Sequence, residues 1–420
     1  MNPNDPSLRS FINVSTDSHF PIQNLPFGIF SSPDHVQPRA GIAIGDFILD
    51  LSLLEKYGFI TTSSKRHVFD EPTLNSFIEL GRDDWRNVRQ QISVLLRHDN
   101  PTLRDDHKMC KEAFVPINQS NLHLPIKVTA YTDFYSSKEH ASNVGKLFRG
   151  KDNALLPNWL HMPVAYNGRA SSVVISGTEI HRPAGQLKDA QSDLPIFDRS
   201  RKLDFELEMA FIVGKASELG RPVSIDKAMD HIFGMVLMND WSARDIQQWE
   251  YVPLGPFNGK NFATSISPWI VTMDALAPFL TSPPIQEVMP LEYLRIDERV
   301  TYDIRLEVRL KIKNDQPITI TKSNFRYLYW TITQQLAHHT VSGCRLEVGD
   351  IMGSGTISGP QEGSLGSLLE ITLNGRKPLS LSNNEQRTFL EDGDEIIMTG
   401  YAQSASYRIG FGEVKGRIVP

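Results

Sequence analysis

The sequence predicts a mainly β protein with some α. It divides into a small N-terminal β-domain with a helical appendage, residues 1–122, and a larger, mostly β domain, residues 123–420. Three observations carry this reading. Several segments alternate with the period of a strand, most clearly Leu203–Gly214 and Thr301–Ile312. Helical spacing is confined to shorter, scattered stretches. From about His98 to Pro125 the patterning weakens, and Pro101, Pro116 and Pro125 break it, which sets the boundary.

Composition narrows the function classes. A hydrophobic fraction of 40% and a charged fraction of 22% are those of an ordinary globular chain. The net charge of −6 argues against nucleic acid as the main partner. No apolar run is long enough to span a membrane, and the polar start Met1-Asn-Pro-Asn-Asp-Pro6 lacks the order of a signal peptide. Only Cys110 and Cys344 occur, so a reducing cytoplasm is expected and no disulfide framework.

Taken in order, residues 1–25 carry few periodic signals and are expected to wrap over the surface or cover a partner. Gly41–Asp50 reads as a β-hairpin turning at Gly45-Asp46. Thr73–Leu80 and Asp83–Arg97 read as helices; in the second, Trp85, Val88, Ile92 and Leu95 recur at helical spacing. This region holds no chemical constellation.

Tyr131-Thr-Asp-Phe-Tyr135 is expected to open a helix, with Asp133 or a following Ser as N-cap. His140, Val144 and Leu147 then share a face. His140 is either a structural residue or a base; Arg149 is either a surface cation or a fork for a carboxylate. The segment Asn158–Ser172, which includes Tyr166, is dense in Trp, Tyr, Arg and Gly without periodicity, which suits a loop shaped around a ligand.

The Leu203–Gly214 strand places Asp204, Glu206 and Glu208 on one face. That face is either solvated, or buried around a hard divalent cation that takes oxygen ligands. Ser224–Phe233 reads as a helix stopped at Gly234, and Met235–Met238 as a buried strand. Asp240 would cap a helix over Trp241–Tyr251, on which Asp240, Arg244, Gln247 and Tyr251 share one face. Such a face meets water or a polar cavity. A Gly/Pro-rich segment then delivers Lys260 and Thr264; Lys260 is either a second cation against the carboxylates or an electrophile for an oxyanion.

Further on, Phe325–Thr340 reads as a helix, with the adjacent His338 and His339 structural or on the surface. Gly353–Gly359 is a loop through which backbone and Thr356 can approach a ligand. Leu368–Leu373 reads as a strand carrying Glu370; a buried Glu needs a partner, and His140 is one candidate. Asp392–Met398 and Tyr407–Val419 add short strands. There is no His-Glu-x-x-His, no phosphate loop and no Gly-x-Ser-x-Gly elbow, so water activated by a base is the better expectation.

Asp133-Phe-Tyr-Ser-Ser137, the Asp204–Met209 strand, the block Leu237–Pro256 and the Gly353–Gly359 loop together resemble the fumarylacetoacetase family. The acidic strand alone would indicate only the wider fumarylacetoacetate-hydrolase superfamily. The resemblance implies a homodimer with an SH3-like N-terminal β-barrel and a C-terminal β-roll, acting on a diketo-dicarboxylate. It implies Ca²⁺ held by Asp133, Glu206, Glu208 and Asp240, with Lys260 and Thr264 linked to a nearby Mg²⁺. His140 corresponds to the general base and Glu370 to its orienting carboxylate. Arg244, Gln247 and Lys260 correspond to an oxyanion group, and Tyr135, Arg149, Tyr166, Gln247, Tyr251 and Thr356 to substrate binders. The implied reaction hydrolyses the carbon–carbon bond of 4-fumarylacetoacetate, with the metal holding the charge of the departing enolate. Two rivals share some features. A related decarboxylase or hydratase should lack the Arg244–Gln247–Tyr251 face, and a calcium-binding protein without catalysis has no use for His140 and Glu370.

Overall fold

The computed structural model describes residues 2–189, 193–313, 315–381 and 385–420. Strands dominate, with short helices between them. The hairpin expected at Gly45-Asp46 forms: His35–Ile44 pairs antiparallel with Phe47–Asp50, and Gly45 turns with φ 56°. These strands belong to a five-stranded antiparallel sheet with Phe27–Ser32, Phe114–Pro116 and Asn121–His123. The two expected helices appear as Asn75–Glu79 and Arg82–Leu96. The second buries Trp85, Val88, Ile92 and Leu95 in the core it shares with the sheet.

The larger region is built on an eight-stranded sheet. Its path runs Ala165–Asn167, Tyr131–Phe134, Ile351–Gly353, Leu207–Val213, Ile232–Asp240, Thr264–Ile266 and Val173–Ile175, with Val271–Thr272 pairing alongside Ile232–Asp240. A second sheet contains Ile318–Asn324, Arg305–Lys311, Glu395–Gln403, Arg408–Val419 and Ile180–His181. The period of two in Leu207–Val213 gives each face its own core. Leu207, Met209, Phe211 and Val213 join Leu306, Val308, Phe411 and Val414, whereas Ala210 and Ile212 join Phe27, Ile92 and Ile351. The central sheet therefore lies between the second sheet and the N-terminal region. Residues before Pro26 strap these parts together: Gly410 N donates to His19 O at 2.9 Å, and Asn24 Nδ2 to Gly410 O at 2.8 Å. Among the described residues no helix is long and apolar enough to cross a membrane.

Several local expectations are corrected by long-range pairing. Tyr131–Phe134 is a strand rather than a helix start, because it pairs in parallel with Ile351–Gly353. The helix begins at Lys138, and the following serine that caps it is Ser137, accepting from His140 N at 3.2 Å. Ile225–His231 is a 3₁₀ segment, and Gly234 lies inside the strand Ile232–Asp240 rather than ending a helix. The helix placed over Trp241–Tyr251 is shorter, Arg244–Glu250, because Ser242–Ala243 pairs with Leu203–Asp204. Phe325–Thr340 is divided into a turn, Phe325–Tyr327, and a helix, Ile332–Thr340, started by a capping box of Thr331 and Gln334. Leu368–Ile371 is a helical turn, not a strand.

Candidate active site and metal centre

Four carboxylates converge at the ends of three strands of the central sheet. Asp133 comes from Tyr131–Phe134, Glu208 from Leu207–Val213, Asp240 from Ile232–Asp240, and Glu206 from the break just before Leu207. Their ligand oxygens lie within 4.8 Å of one another and all four residues are buried. Gly353 and Gly355 make room for them. A Cβ at Gly353 would sit 2.6 Å from Asp133 Oδ1. The N–H of Gly355, at φ 76°, donates to Asp133 Oδ1 at 3.2 Å and Glu208 Oε2 at 3.1 Å.

The cations nearby are Lys260 and Arg244. Lys260 Nζ bonds Glu206 Oε2 and reaches Asp240 Oδ2 at 2.7 Å. Arg244 Nη1 reaches Glu206 Oε1 at 2.6 Å and Gln247 Oε1 at 3.3 Å, while Nε reaches Asp204 Oδ2 at 2.9 Å. Tyr166 OH donates to Asp240 Oδ2 at 2.8 Å and Thr264 Oγ1 to Asp240 Oδ1 at 2.9 Å. Two cationic side chains thus stand against the four carboxylates and Asp204. Burial and the charge of Asp240 hold the Asp133 carboxyl well above the usual range. Burial and the charges of Asp133 and Glu206 do the same for Glu208. Burial would push Glu206 up as well, but Lys260, Arg244 and His140 outweigh it and hold it low. Glu208 Oε1 is buried without a hydrogen-bond partner. An all-oxygen donor set with an orphaned carboxylate oxygen and an excess of negative charge fits a hard divalent cation.

Beside this cluster stands an imidazole–carboxylate pair. His140 Nδ1 lies 2.6 Å from Glu370 Oε2, and both side chains are buried. Glu370 also accepts from Asn143 Nδ2 at 3.0 Å, from Ser358 Oγ at 2.8 Å and from Ser367 Oγ at 3.0 Å. Burial would raise Glu370, but His140 and these donors hold its carboxyl below the ordinary value. The Tyr135 ring packs edge-on against His140 at 5.2 Å.

The structure thus brings together Asp133, Tyr135, His140, Tyr166, Glu206, Glu208, Asp240, Arg244, Gln247, Lys260, Thr264 and Glu370. Thr356 is buried within the Gly353–Gly359 loop. Arg149 and Tyr251 are not drawn in: Arg149 is exposed and donates to the carbonyls of Asn153 and Ala154, and Tyr251 is 49% exposed. Asp240 ends its strand and caps no helix, so the face shared by Arg244 and Gln247 lacks it. Asp204 points away from the acidic cluster, toward Arg244 and the turn that carries Glu370. Sequence reasoning missed Asn143, Ser358 and Ser367 as partners of Glu370. Only the i+3 relation of Asn143 to His140 gave a signal.

Comparison with known proteins agrees with this geometry. The family model described as fumarylacetoacetate (FAA) hydrolase C-terminal matches residues 129–419, and that described as fumarylacetoacetase N-terminal matches residues 23–125. A fumarylacetoacetase of Homo sapiens is 55% identical over 98% of this chain and 99% of its own length. One from Arabidopsis thaliana is 52% identical over 98% of this chain and 99% of its own length. Among solved structures, a fumarylacetoacetate hydrolase from the psychrophile Exiguobacterium antarcticum shares the fold, with a TM-score of 0.53 and 18% identity over 94% of this chain and 99% of that one. On these grounds the chain belongs to the fumarylacetoacetase family of carbon–carbon bond hydrolases.

Proposed function

We propose that this chain hydrolyses 4-fumarylacetoacetate to fumarate and acetoacetate, the last step of tyrosine and phenylalanine degradation. The observation that carries the reading is the buried His140–Glu370 pair at 2.6 Å, within electrostatic reach of the acidic cluster. The similarity to fumarylacetoacetases over nearly the whole chain supports it.

In this reading Asp133, Glu206, Glu208 and Asp240 hold Ca²⁺. Lys260 and Thr264, both hydrogen-bonded to Asp240, border a neighbouring structural Mg²⁺ position. A bound divalent cation supplies Lewis acidity toward the diketone oxygens. The remaining chemistry falls to the side chains. Glu370 engages His140 Nδ1, which leaves Nε2 to take a proton from water. The water oxygen adds to the carbonyl next to the fumaryl group. Arg244, Gln247 and Lys260 hold the resulting alkoxide. Its collapse breaks the carbon–carbon bond, the electron pair leaves with the acetoacetate carbon, and the proton on His140 is delivered there. Tyr135, Tyr166 and Thr356 orient the substrate, and the exposed Tyr251 and Arg149 are left to meet it from outside the cluster, Arg149 at one of its carboxylates. Family likeness further supports a cytoplasmic homodimer with an SH3-like barrel over residues 1–122 and a β-roll over 123–420.

The test follows the diketone's ultraviolet absorbance with purified protein, with and without chelator. Turnover that chelator abolishes is expected. Loss of His140 in His140→Ala should lower it by about 10²–10⁴-fold while cation binding persists. An inactive wild type that still binds Ca²⁺ would overturn the reading in favour of a calcium-binding protein.

A further inference from the structure

One buried carboxylate is left without a task by the chemistry above. Asp204 is 0% exposed and ends the short strand Leu203–Asp204, two residues before Glu206, yet it takes no part in the acidic cluster. A carboxylate is not kept ionised in a protein interior without partners, and those of Asp204 are specific. Its Oδ1 accepts from Leu368 N at 2.7 Å and its Oδ2 from Leu369 N at 2.9 Å. Oδ2 also accepts from Arg244 Nε at 2.9 Å. Leu368 and Leu369 open the helical turn Leu368–Ile371, the third residue of which is Glu370. One side chain therefore bonds both the arginine of the oxyanion group and the turn that bears the partner of His140.

The Arg244 end shows what this fixes. Its guanidinium is held at two points, Nε by Asp204 and Nη1 by Glu206. Nη2 is buried and has no hydrogen-bond partner. A planar fork pinned at two of its nitrogens can swing only if one of them lets go, so the third is kept free and fixed in direction. At the other end, Ser367 Oγ accepts from Glu370 N at 3.4 Å and donates to Glu370 Oε2 at 3.0 Å, so the turn is closed by its own serine and anchored by Asp204.

We propose that Asp204 is a positioning residue that sets the Arg244 donor and the His140–Glu370 pair at a fixed separation, so that nucleophile and oxyanion are served at the same time. The inference rests on the hydrolytic reading above. Displacing groups of this kind by about 1 Å costs on the order of 10²-fold in rate even when the altered residue is remote from the reacting atoms.

The test is Asp204→Asn. Its Nδ2 is a donor facing donors, so it cannot replace an Oδ atom toward Arg244 or the turn. The full chain is assayed on fumarylacetoacetate, with kcat expressed per Ca²⁺-binding site titrated by calorimetry, so that unfolded protein does not count. Should Asp204→Asn fail to accumulate, Asp204→Glu, which keeps the charge but moves it by one methylene, is read the same way. We expect kcat to fall about 10²-fold, with KM and Ca²⁺ affinity within about threefold of wild type. Combined with Arg244→Gln, the two losses should fall well short of multiplying, because Asp204 acts through Arg244. A variant with kcat per site within threefold of wild type overturns the inference, as do losses that multiply fully. In both cases an active wild type leaves the hydrolytic reading standing. A wild type that does not turn over the diketone overturns that reading and this inference with it.

Discussion

Replacing Glu370 by Gln changes one oxygen to an amide nitrogen and leaves the volume of the side chain almost unaltered. The consequences follow from its contacts. Glu370 accepts from His140 Nδ1, Asn143 Nδ2, Ser358 Oγ and Ser367 Oγ. Glutamine has one acceptor oxygen, and Asn143 and the serines compete for it. If its NH₂ group turns toward His140, Nδ1 must accept rather than donate. The imidazole then carries its proton on Nε2 and cannot take another from water without becoming a cation that no carboxylate faces. An amide in place of a triad carboxylate costs about 10⁴ in kcat in a serine protease for the same reason. Here the other donors around position 370 still hold the side chain in place, so we predict a loss of about 10³–10⁴-fold, roughly 4–5.5 kcal/mol on the barrier. Because Glu370 touches none of the metal cluster, Ca²⁺ affinity and KM should stay within about threefold. The assay is the loss of diketone absorbance under saturating substrate, with Ca²⁺ binding measured on the same sample. A Glu370→Gln protein within tenfold of wild-type kcat would refute the tautomer argument.

Three further outcomes are expected. Burial and mutual repulsion raise Asp133 and Glu208, so both retain protons to higher pH than ordinary carboxyls when no cation is bound. Ca²⁺ must displace those protons, so its affinity should rise with pH, and calorimetry in buffers of different ionisation enthalpy should record proton release; binding without proton release between pH 5 and 8 would contradict this. Gly353→Ala puts a methyl 2.6 Å from Asp133 Oδ1 and from Met238 Cε, so Ca²⁺ affinity should fall at least about tenfold; unchanged affinity in a calorimetric titration would show that the cluster yields easily. His19 is half-buried beside Arg408, its Nδ1 accepts from Gly412 N at 3.2 Å, and desolvation together with the charge of Arg408 pushes its pKa down to about 4. The unfolded chain protonates this ring near the ordinary imidazole value of 6.5 while the folded one does not until about 4, so stability should decrease as pH is lowered across that window, by roughly 3 kcal/mol at most. His19→Gln should flatten that dependence in urea unfolding, and an equally steep fall would rule it out.

Much of the site was legible because some chemical demands are local. Period-two spacing put Glu206 and Glu208 on one side of a strand, whichever partners that strand later found. The need of a buried Glu for a partner made His140 one candidate for Glu370, and the two meet across 230 positions of sequence even though Leu368–Ile371 is a helical turn rather than the expected strand. What spacing alone could not decide was pairing between distant segments. Tyr131–Phe134 became a strand because Ile351–Gly353 lies beside it, and Ser242–Ala243 delayed a helix because Leu203–Asp204 took its hydrogen bonds. The same pairing separated Asp204 from its neighbours. The strand breaks between Asp204 and Leu207, so the simple alternation that grouped three carboxylates held for two of them. The sequence alone determined which residue types stood ready to bind a cation and move a proton, because composition and period are properties of the chain. Only the tertiary structure decided which of them meet, because a buried charge takes the partner that long-range packing brings within reach.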